Sequence, residues 1–391
     1  MPTLLGVIFI NLLGFGIVIP LLPFYAASFN APPWQIALIF SAYSIGAFFG
    51  EPLWGRMSDR IGRKPLLIST VIGNCLCYLA LAFAPNVYVA FVVRLLGGLA
   101  SGNGSVIQGY IADVTPPDRR SGRMARLGAA FNIGFIVGPA VGGLLAHPEA
   151  GPAGFRLPLL VAGGLSALSA ICIVLFLKES RPGGGEARQQ PSRWRMLGYA
   201  VREPVISRLM LVTFLSGCAF FGIESVFGLW GEDRFGWGPR EIGIIFGCVG
   251  VVSAACQLFL TGWLSRKFGE AEVLAAGMLL AVTGSVLQVF STGLLTSGIF
   301  LCITALGSSV AFPNVSSLIS QTADPDHQGQ VLGLNNATSA LARVIGPFAA
   351  GLIFADVHHH GQYVLAALLM TPAIGLAIQA GRRRRALRRR A

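Results

Sequence analysis

Charged side chains are scarce in this chain of 391 residues. Asp, Glu, Lys and Arg together make up 12% of it, whereas an ordinary soluble domain carries roughly 25%. The mean hydropathy is +0.68 and 54% of the residues are hydrophobic. This composition excludes a water-soluble globular fold, and no polar stretch is left over for a separate soluble domain.

Patterns that would bind a metal or form disulfides are also missing. All seven cysteines lie inside apolar runs, and the five histidines lie between them. That placement favours neither a disulfide framework nor a zinc site, so we expect no metal and no cofactor. An intramembrane enzyme would need a nucleophile with a base, or a metal site, inside the apolar runs, and no histidine lies there.

Long apolar runs with short polar breaks extend from Thr3 to Ala380. About 20 apolar residues cross a bilayer as a helix, and the backbone in lipid must pair its polar groups internally. The runs lack the alternation of barrel strands. The sequence therefore predicts an all-α membrane protein with twelve transmembrane helices, spans 1 to 12, near 3–27, 34–54, 65–83, 87–112, 123–145, 156–177, 206–230, 239–261, 272–291, 295–319, 330–355 and 362–380.

Basic residues are unevenly distributed over the breaks. Most of the 29 Lys and Arg lie after even-numbered spans and in the tail, which defines a basic side; Arg156, Arg234 and Arg240 lie in the other breaks. This positive-inside bias predicts that both termini are cytoplasmic. The net charge of +12 thus reflects topology, so we expect no nucleic-acid partner, and the basic run 382–390 is expected to contact anionic lipid headgroups.

The two halves of the chain repeat each other at offsets of 206 to 208 residues. Residues 33–40, PWQIALIF, match residues 239–246, PREIGIIF, and the pair Gly138-Pro139 recurs as Gly346-Pro347. Because the offset contains six spans, the copies share one orientation, as in transporters built from parallel repeats. We predict two six-helix bundles related by a parallel pseudo-two-fold axis, at 1–177 and 204–380, a cytoplasmic linker at 178–203 and a basic cytoplasmic tail at 381–391.

The break after span 2 carries a long motif, residues 55–65, GRMSDRIGRKP. It resembles the signature G-x-x-x-D-R-x-G-R-[RK] of the major facilitator superfamily, whose fold has the predicted arrangement. A plain basic loop would need neither the acid nor the glycines. The resemblance implies a charge cluster of Asp59, Arg63 and Asp113 that latches the cytoplasmic side. The predicted latch residues are Gly55, Asp59, Arg60, Gly62, Arg63 and Asp113, with the glycines allowing a tight turn and close helix approach. In the second half Arg266 and Glu270 replace Asp59 and Arg63, so only the first half is expected to hold a complete latch.

Span 5 contains residues 134–143, GFIVGPAVGG, similar to the G-x-x-x-G-P-x-x-G-G motif of antiporters in this superfamily. Small residues at a spacing of four let helices approach closely, and proline bends a helix. We interpret the motif as a helix-packing hinge and not a ligand site, formed by Gly134, Gly138, Pro139, Gly142 and Gly143.

Within this superfamily, the chain resembles the twelve-span drug:proton antiporters of the tetracycline-resistance type over nearly its whole length. The segments that carry this resemblance are residues 11–23, 111–116 and 229–237. The resemblance implies a multi-pass exporter of the bacterial cytoplasmic membrane. Tetracycline exporters carry acids in spans 1, 3 and 9. Here Asn11 and Cys77 occupy the first two positions and span 9 has no deep acid, which argues against tetracycline itself as cargo.

Three ionisable side chains lie deep in predicted spans: Glu224 in span 7, Arg94 in span 4 and Arg343 in span 11. Each costs about 2.5 to 3.5 kcal/mol to insert, so such residues usually face the protein interior and mark a pathway. Glu224 could carry protons, because an apolar setting favours its neutral form, or it could form a structural salt bridge with Arg94; the two interpretations are compatible. Arg343 could be satisfied by polar neighbours such as Asn336, or bind an anionic cargo.

The other candidates are uncharged or aromatic. In the family, spans 1, 4, 7 and 10 line the cavity, and Phe220, Phe221 and Phe227 share the helical face of Glu224. Each polar residue alone is more typical of helix packing; together they favour a large, mostly apolar cavity for amphipathic molecules. The predicted substrate-binding residues are Asn11, Phe15, Asn103, Gln108, Asn132, Phe220, Phe221, Phe227, Phe312, Asn314, Asn336 and Arg343.

Our first hypothesis is a monomeric secondary active transporter that exports a lipophilic or amphipathic, drug-like organic compound in exchange for protons by alternating access. Its partners would be that small organic substrate, protons and membrane lipids, with Glu224 and Arg94 coupling the proton. The alternative is a symporter or facilitator of an organic anion or lipid-like molecule recognised by Arg94 and Arg343. A non-transporting sensor and an intramembrane enzyme are less favoured.

Overall fold

The structure is a computed structural model that describes residues 2–116, 133–134, 136–180, 198, 200–324, 327–356 and 359–388. Every regular element in these ranges is helical. The helices are Pro2–Val18, Ile19–Leu21, Leu22–Ala27, Pro33–Ile61, Arg63–Ala82, Val87–Ser101, Gly104–Asp113, Ile136–Leu145, Pro148–Phe155, Arg156–Phe176, Pro204–Phe235, Pro239–Ala255, Cys256–Thr261, Gly262–Phe268, Glu270–Gln288, Leu294–Thr322, Gln328–Asp356 and Gly361–Arg388.

Eleven of the twelve predicted spans coincide with helices, or runs of consecutive helices, that are long and apolar enough to cross a membrane. Span 5 is seen as the shorter apolar helix Ile136–Leu145. Large apolar side chains stay exposed on these helices, such as Leu175 at 67% and Phe259 at 79%, as lipid contact requires. The prediction of an all-α membrane protein with twelve transmembrane helices is confirmed.

The helix boundaries differ from the predicted spans where polar residues extend a helix beyond the apolar core. Span 2 continues to Ile61, so most of the 55–65 motif is helical and not a loop. The turn falls at Gly62, whose φ of +110° favours glycine, and Gly269 at +91° makes the equivalent turn in the second half. Span 12 likewise continues as a helix to Arg388, into the predicted tail.

Several spans are locally irregular. Span 1 changes to a 3-10 turn at Ile19–Leu21, where Pro20 removes a backbone donor. Span 4 is interrupted at Gly102 and Asn103, and span 8 contains a π-helical segment at Cys256–Thr261. Span 8 is therefore not one regular helix, although its composition alone predicts one.

The residues form two compact units, Met1–Arg188 with Gly228–Gly250, and Gln189–Phe227 with Val251–Ala391. In the first unit, Val7, Leu67, Ile111 and Ile173 belong to one buried core from spans 1, 3, 4 and 6. In the second, spans 7 and 9 to 12 share a core that includes Leu209, Leu274, Leu318, Val331 and Ala377. The predicted limits of the repeats, the linker and the tail stay predictions.

Glycines allow close helix contacts in the first unit. A Cβ at Gly98 of span 4 would overlap the carbonyl oxygen of Tyr43 in span 2, and one at Gly46 would overlap the carbonyl oxygen of Leu95. Spans 2 and 4 therefore touch backbone to backbone. This contact fixes the position of Tyr43 against span 4.

Candidate functional site

The predicted latch residues Asp59, Arg63 and Asp113, here the latch cluster, meet at the basic ends of spans 2, 3 and 4. Arg63 Nη2 lies 2.8 Å from Asp59 Oδ1, and Arg63 Nε lies 3.2 Å from Asp113 Oδ2. Arg63 Nη1 also donates to Ser58 Oγ. A Cβ at Gly109 would lie 2.6 Å from Arg63 Cζ, so any larger residue there would displace the guanidinium.

The other residues of the motif have different roles in the structure. Gly62 makes the turn between spans 2 and 3. Gly55 allows close packing, because a Cβ there would lie 3.1 Å from Ser105 Oγ. Arg60 is exposed and makes no ion pair among the described residues.

Glu179, at the end of span 6, is a part of this cluster that sequence reasoning missed. Its carboxylate accepts hydrogen bonds from the backbone N–H of Arg63 at 2.9 Å and of Lys64 at 3.0 Å. The next residue, Ser180, donates its hydroxyl to Asp113 Oδ2 at 3.3 Å. A carboxylate at a helix N-terminus is stabilised by the free N–H groups and the helix dipole. Glu179 thus caps span 3 at the latch arginine.

The second half has a counterpart of the latch cluster in which an amide takes the place of one charged side chain. Glu270, at the position of Arg63, accepts hydrogen bonds from Gln321 Nε2 at 2.7 and 2.9 Å and from Ser317 Oγ at 2.7 Å. Gln321 occupies the position equivalent to Asp113. The geometry of the contact is kept while the ion pair is replaced by a carboxylate and an amide.

Arg94 lies inside the first unit, on span 4. It is 4% exposed, and its Cζ lies 4.4 Å from the ring centroid of Tyr43. The ring of Phe15 is 5.1 Å from that of Tyr43. The groups whose electrostatic influence reaches Arg94 are Tyr78, Tyr43 and Cys77. No carboxylate of the described residues of this unit pairs with Arg94.

Polar side chains of spans 1, 3 and 4 form hydrogen bonds next to this site. Asn74 donates to Asn11 Oδ1 at 3.4 Å and accepts from Ser101 Oγ at 2.9 Å. Asn103 donates to Thr70 Oγ1 at 3.1 Å and is buried. Asn11 and Asn103, predicted to contact cargo, thus take part in helix-packing contacts, whereas Gln108 is exposed.

Glu224 lies about one helical turn after Phe220 and Phe221 on span 7, in the second unit. Phe220 contacts Phe221 at 5.4 Å and Phe312 at 5.9 Å between ring centroids. Arg343 Cζ lies 4.6 Å from the ring centroid of Phe221, and Arg343 is close enough to Glu224 to interact electrostatically with it. The sequence does not show this proximity, because Glu224 and Arg343 are 119 positions apart.

The remaining predicted cargo contacts have mixed settings. Phe227 is fully buried. Asn314 donates to Val310 O at 2.8 Å and accepts from Ser265 Oγ at 2.8 Å, so its amide is engaged in packing. Asn336 is exposed, and Asn132 lies outside the described residues. In the described ranges, no three His, Cys, Asp or Glu side chains come close enough to hold a metal ion.

The span 5 motif packs on span 1 and on the start of span 8 within the first unit. A Cβ at Gly16 would lie 2.6 Å from Gly134 O, and Gly138 and Gly142 allow no side chain beside Gly16 and Ile17. Gly143 would place a Cβ 2.5 Å from Pro239 O. A Cβ at Gly243 would lie 2.6 Å from Pro139 O. The motif is thus a packing surface in the structure; its action as a hinge stays a prediction.

The chain is similar to known membrane transport and resistance proteins over most of its length. The chain is 29% identical to the tetracycline resistance protein, class C, of Escherichia coli over 361 residues, covering 90% of this chain and 89% of the relative. It is 28% identical to multidrug resistance protein 2 of Bacillus subtilis, covering 96% and 93%. A crystal structure of a bacterial homologue of the human lysosomal transporter Spinster superposes with a TM-score of 0.81, at 15% identity, over 97% of this chain and 96% of that one.

The model of the major facilitator superfamily matches residues 4–347 and again residues 210–386. These matches extend over the latch cluster and over the spans that hold Arg94, Glu224 and Arg343. The chain is therefore a multi-pass membrane transporter and not an enzyme, and it belongs to the major facilitator superfamily.

Proposed function

We propose that the protein exports a lipophilic or amphipathic organic compound from the bacterial cytoplasm in exchange for protons, with both termini cytoplasmic. Its resistance-protein relatives support export of drug-like compounds. The observation that carries the proposal is the setting of Glu224, an acid about one helical turn from Phe220 and Phe221 and close enough to Arg343 for an electrostatic interaction.

In this cycle Glu224 takes a proton when it faces the outside and releases it when it faces the cytoplasm. Arg343 stabilises the carboxylate after release, because an opposite charge favours the ionised form. The aromatic rings favour the protonated form and offer apolar surface to cargo. Arg94 supplies a fixed positive charge on the coupling pathway. Protonation and cargo binding thereby compete for the same region.

The latch cluster closes the cytoplasmic side in one of the two alternating states, and the span 5 motif acts as a hinge. The two six-helix repeats move against each other around the linker, and the transporter works as a monomer in contact with membrane lipids. Breaking the ion pairs of Arg63 would then be a step of each cycle.

The proposal is tested in proteoliposomes that contain a pH-sensitive dye and an inward-directed proton gradient. Addition of Nile red, a neutral lipophilic dye, should trigger proton movement with the wild type. Glu224→Gln removes the titrating group at constant size, so cargo-dependent proton movement should fall at least tenfold, while downhill dye flux without a gradient remains.

The control is Glu149→Gln, because Glu149 lies in an exposed loop where it pairs with His147 at 3.4 Å. This variant should couple like the wild type. Undiminished coupling in Glu224→Gln would remove Glu224 from the mechanism, and no cargo-dependent proton movement in the wild type with any neutral or cationic dye would refute proton-coupled export.

A further inference from the structure

The guanidinium of Arg94 is a buried cation that pairs with no carboxylate among the described residues of its unit. It is 4% exposed, and its Nε–H has no hydrogen-bond acceptor. The face of Tyr43, 4.4 Å from Cζ, offsets part of the charge but supplies no lone pair to an N–H donor. A buried charge is normally paired, and one that is not points to a function.

A second buried donor lies beside the first. The hydroxyl of Tyr78, on span 3, is buried; the Asn74 side chain lies close to it, but no well-formed hydrogen bond uses its O–H donor. Tyr78 lies close enough to Arg94 for an electrostatic interaction. Two donors that lack acceptors, one of them cationic, match a ligand with several acceptor oxygens and a negative charge, and a carboxylate fits that description.

The surroundings indicate what the rest of the ligand is like. Phe15 and Tyr43 form an aromatic pair with centroids 5.1 Å apart next to Arg94, and both rings remain partly exposed. Gly98 contacts the backbone of Tyr43, so the helix that carries this ring packs directly on the helix that carries Arg94. An aromatic or otherwise apolar body could lie against these two rings.

Arg94 and Arg343 differ in exposure and in whether an acid lies near them. Arg343 also lies over an aromatic ring, that of Phe221, but it has Glu224 within electrostatic reach. It is exposed, whereas Arg94 is buried. The positive charge of Arg343 therefore has an acid near it, whereas no carboxylate in the described part of its unit pairs with Arg94.

We propose that Arg94 and Tyr78 bind the carboxylate of an amphipathic organic cargo whose apolar body lies against Phe15 and Tyr43. The proposal rests on the proposed transport of organic compounds and adds a preference for organic carboxylates over neutral cargo. The competing explanation is that Arg94 has only a packing role and that water molecules satisfy its N–H groups. In that case the protein would show no preference between an acid and a neutral compound of the same shape.

The test uses 2-naphthoate and its neutral analogue 2-naphthamide, titrated calorimetrically into the purified full-length protein. The wild type should bind the acid at least tenfold more tightly than the amide. Arg94→Gln should weaken acid binding about tenfold or more, as for loss of a charge-assisted hydrogen bond, and leave amide binding unchanged. Tyr78→Phe should weaken acid binding about threefold to tenfold.

Matched controls are Arg156→Gln, since Arg156 is an exposed arginine over the ring of Phe83, and Tyr88→Phe, since Tyr88 is 70% exposed. Neither should change the preference. Equal binding of acid and amide by the wild type, binding of neither, or an intact preference in Arg94→Gln would overturn the proposal. If Arg94→Gln does not fold, Tyr78→Phe decides, because unchanged acid affinity in that variant has the same meaning.

Failure of this test is distinguishable from failure of the proposed export. The Glu224 experiment uses a neutral dye, so its outcome does not depend on a carboxylate site. Conversely, equilibrium binding at Arg94 needs no proton gradient and would persist in Glu224→Gln.

Discussion

Replacing Asp113 by Asn should loosen the basic ends of spans 3 and 4 without unfolding the protein. The substitution keeps size and an acceptor but removes the charge 3.2 Å from Arg63 Nε. At an effective dielectric constant of about 20, that attraction is about 5 kcal/mol before solvation is considered. Asp113 is 26% exposed and Arg63 9%, between the surface and buried limits, so the net cost should be about 1 to 2 kcal/mol.

Such a change multiplies the open fraction of the cluster about 5- to 30-fold, which hydrogen–deuterium exchange can measure. Backbone amides in peptides covering 58–66 and 108–114 should exchange faster by that factor. Amides covering 312–322, around the contact of Glu270 with Gln321, should not change. An exchange increase below twofold at the latch cluster, or one spread over all spans, would refute the assignment.

A double-mutant cycle with Asp59→Asn sharpens the test, because both acids share Arg63. Each single variant leaves one carboxylate beside the guanidinium, at 2.8 or 3.2 Å. The double variant leaves the Arg63 guanidinium with neither of these two carboxylates. Its loss of stability should therefore exceed the sum of the two single losses. Additive effects would mean that Arg63 does not link the two acids.

Two further predictions concern packing and the second half. The Cβ of Gly98→Ala would overlap Tyr43 O, so this variant should lose about 1 to 3 kcal/mol of stability and unfold at a lower temperature. The control Gly164→Ala has open space around the new Cβ and should unfold like the wild type. Equal unfolding temperatures for the two variants would show that spans 2 and 4 separate freely. Gln321→Glu places a second carboxylate where the amide lies 2.7 Å from Glu270 Oε1. Since two adjacent carboxylates cannot both ionise without repulsion, its thermal stability should fall between about pH 4 and pH 7 relative to the wild type, and parallel pH curves would contradict the contact.

Most of the fold can be predicted from the sequence because a long apolar run indicates a helix that lies in lipid. It does not report where a helix ends once polar residues continue it, so the helical run to Ile61 was missed. Local irregularities such as the π-helical segment at Cys256–Thr261 arise from packing and leave no mark in composition. Arg63 and Asp59 could be predicted because they lie in a long motif, and Asp113 because the resemblance places an acid at the end of span 4.

The contacts that sequence reasoning missed bring together residues distant in the chain. Glu179 binds a backbone N–H 116 residues away, and a hydrogen bond to a backbone group requires no particular side chain on the partner. Gly109 looks like any helical glycine until the guanidinium of Arg63 is placed over it. The proximity of Arg343 to Glu224 likewise depends on how spans 7 and 11 pack in the second unit.

The two related clusters at the basic ends of the spans differ in how they can be switched. Arg63 and its acids are held by charge, so protonation, salt or a competing ion changes their stability. Glu270 and Gln321 are held by amide hydrogen bonds, which lose little to salt and have one charged partner. The duplication thus preserved a helix contact in both halves but left charge on both sides of it in only one. If the transporter opens and closes its cytoplasmic side by breaking a charge cluster, the ion pairs of Arg63 in the first half supply that switch.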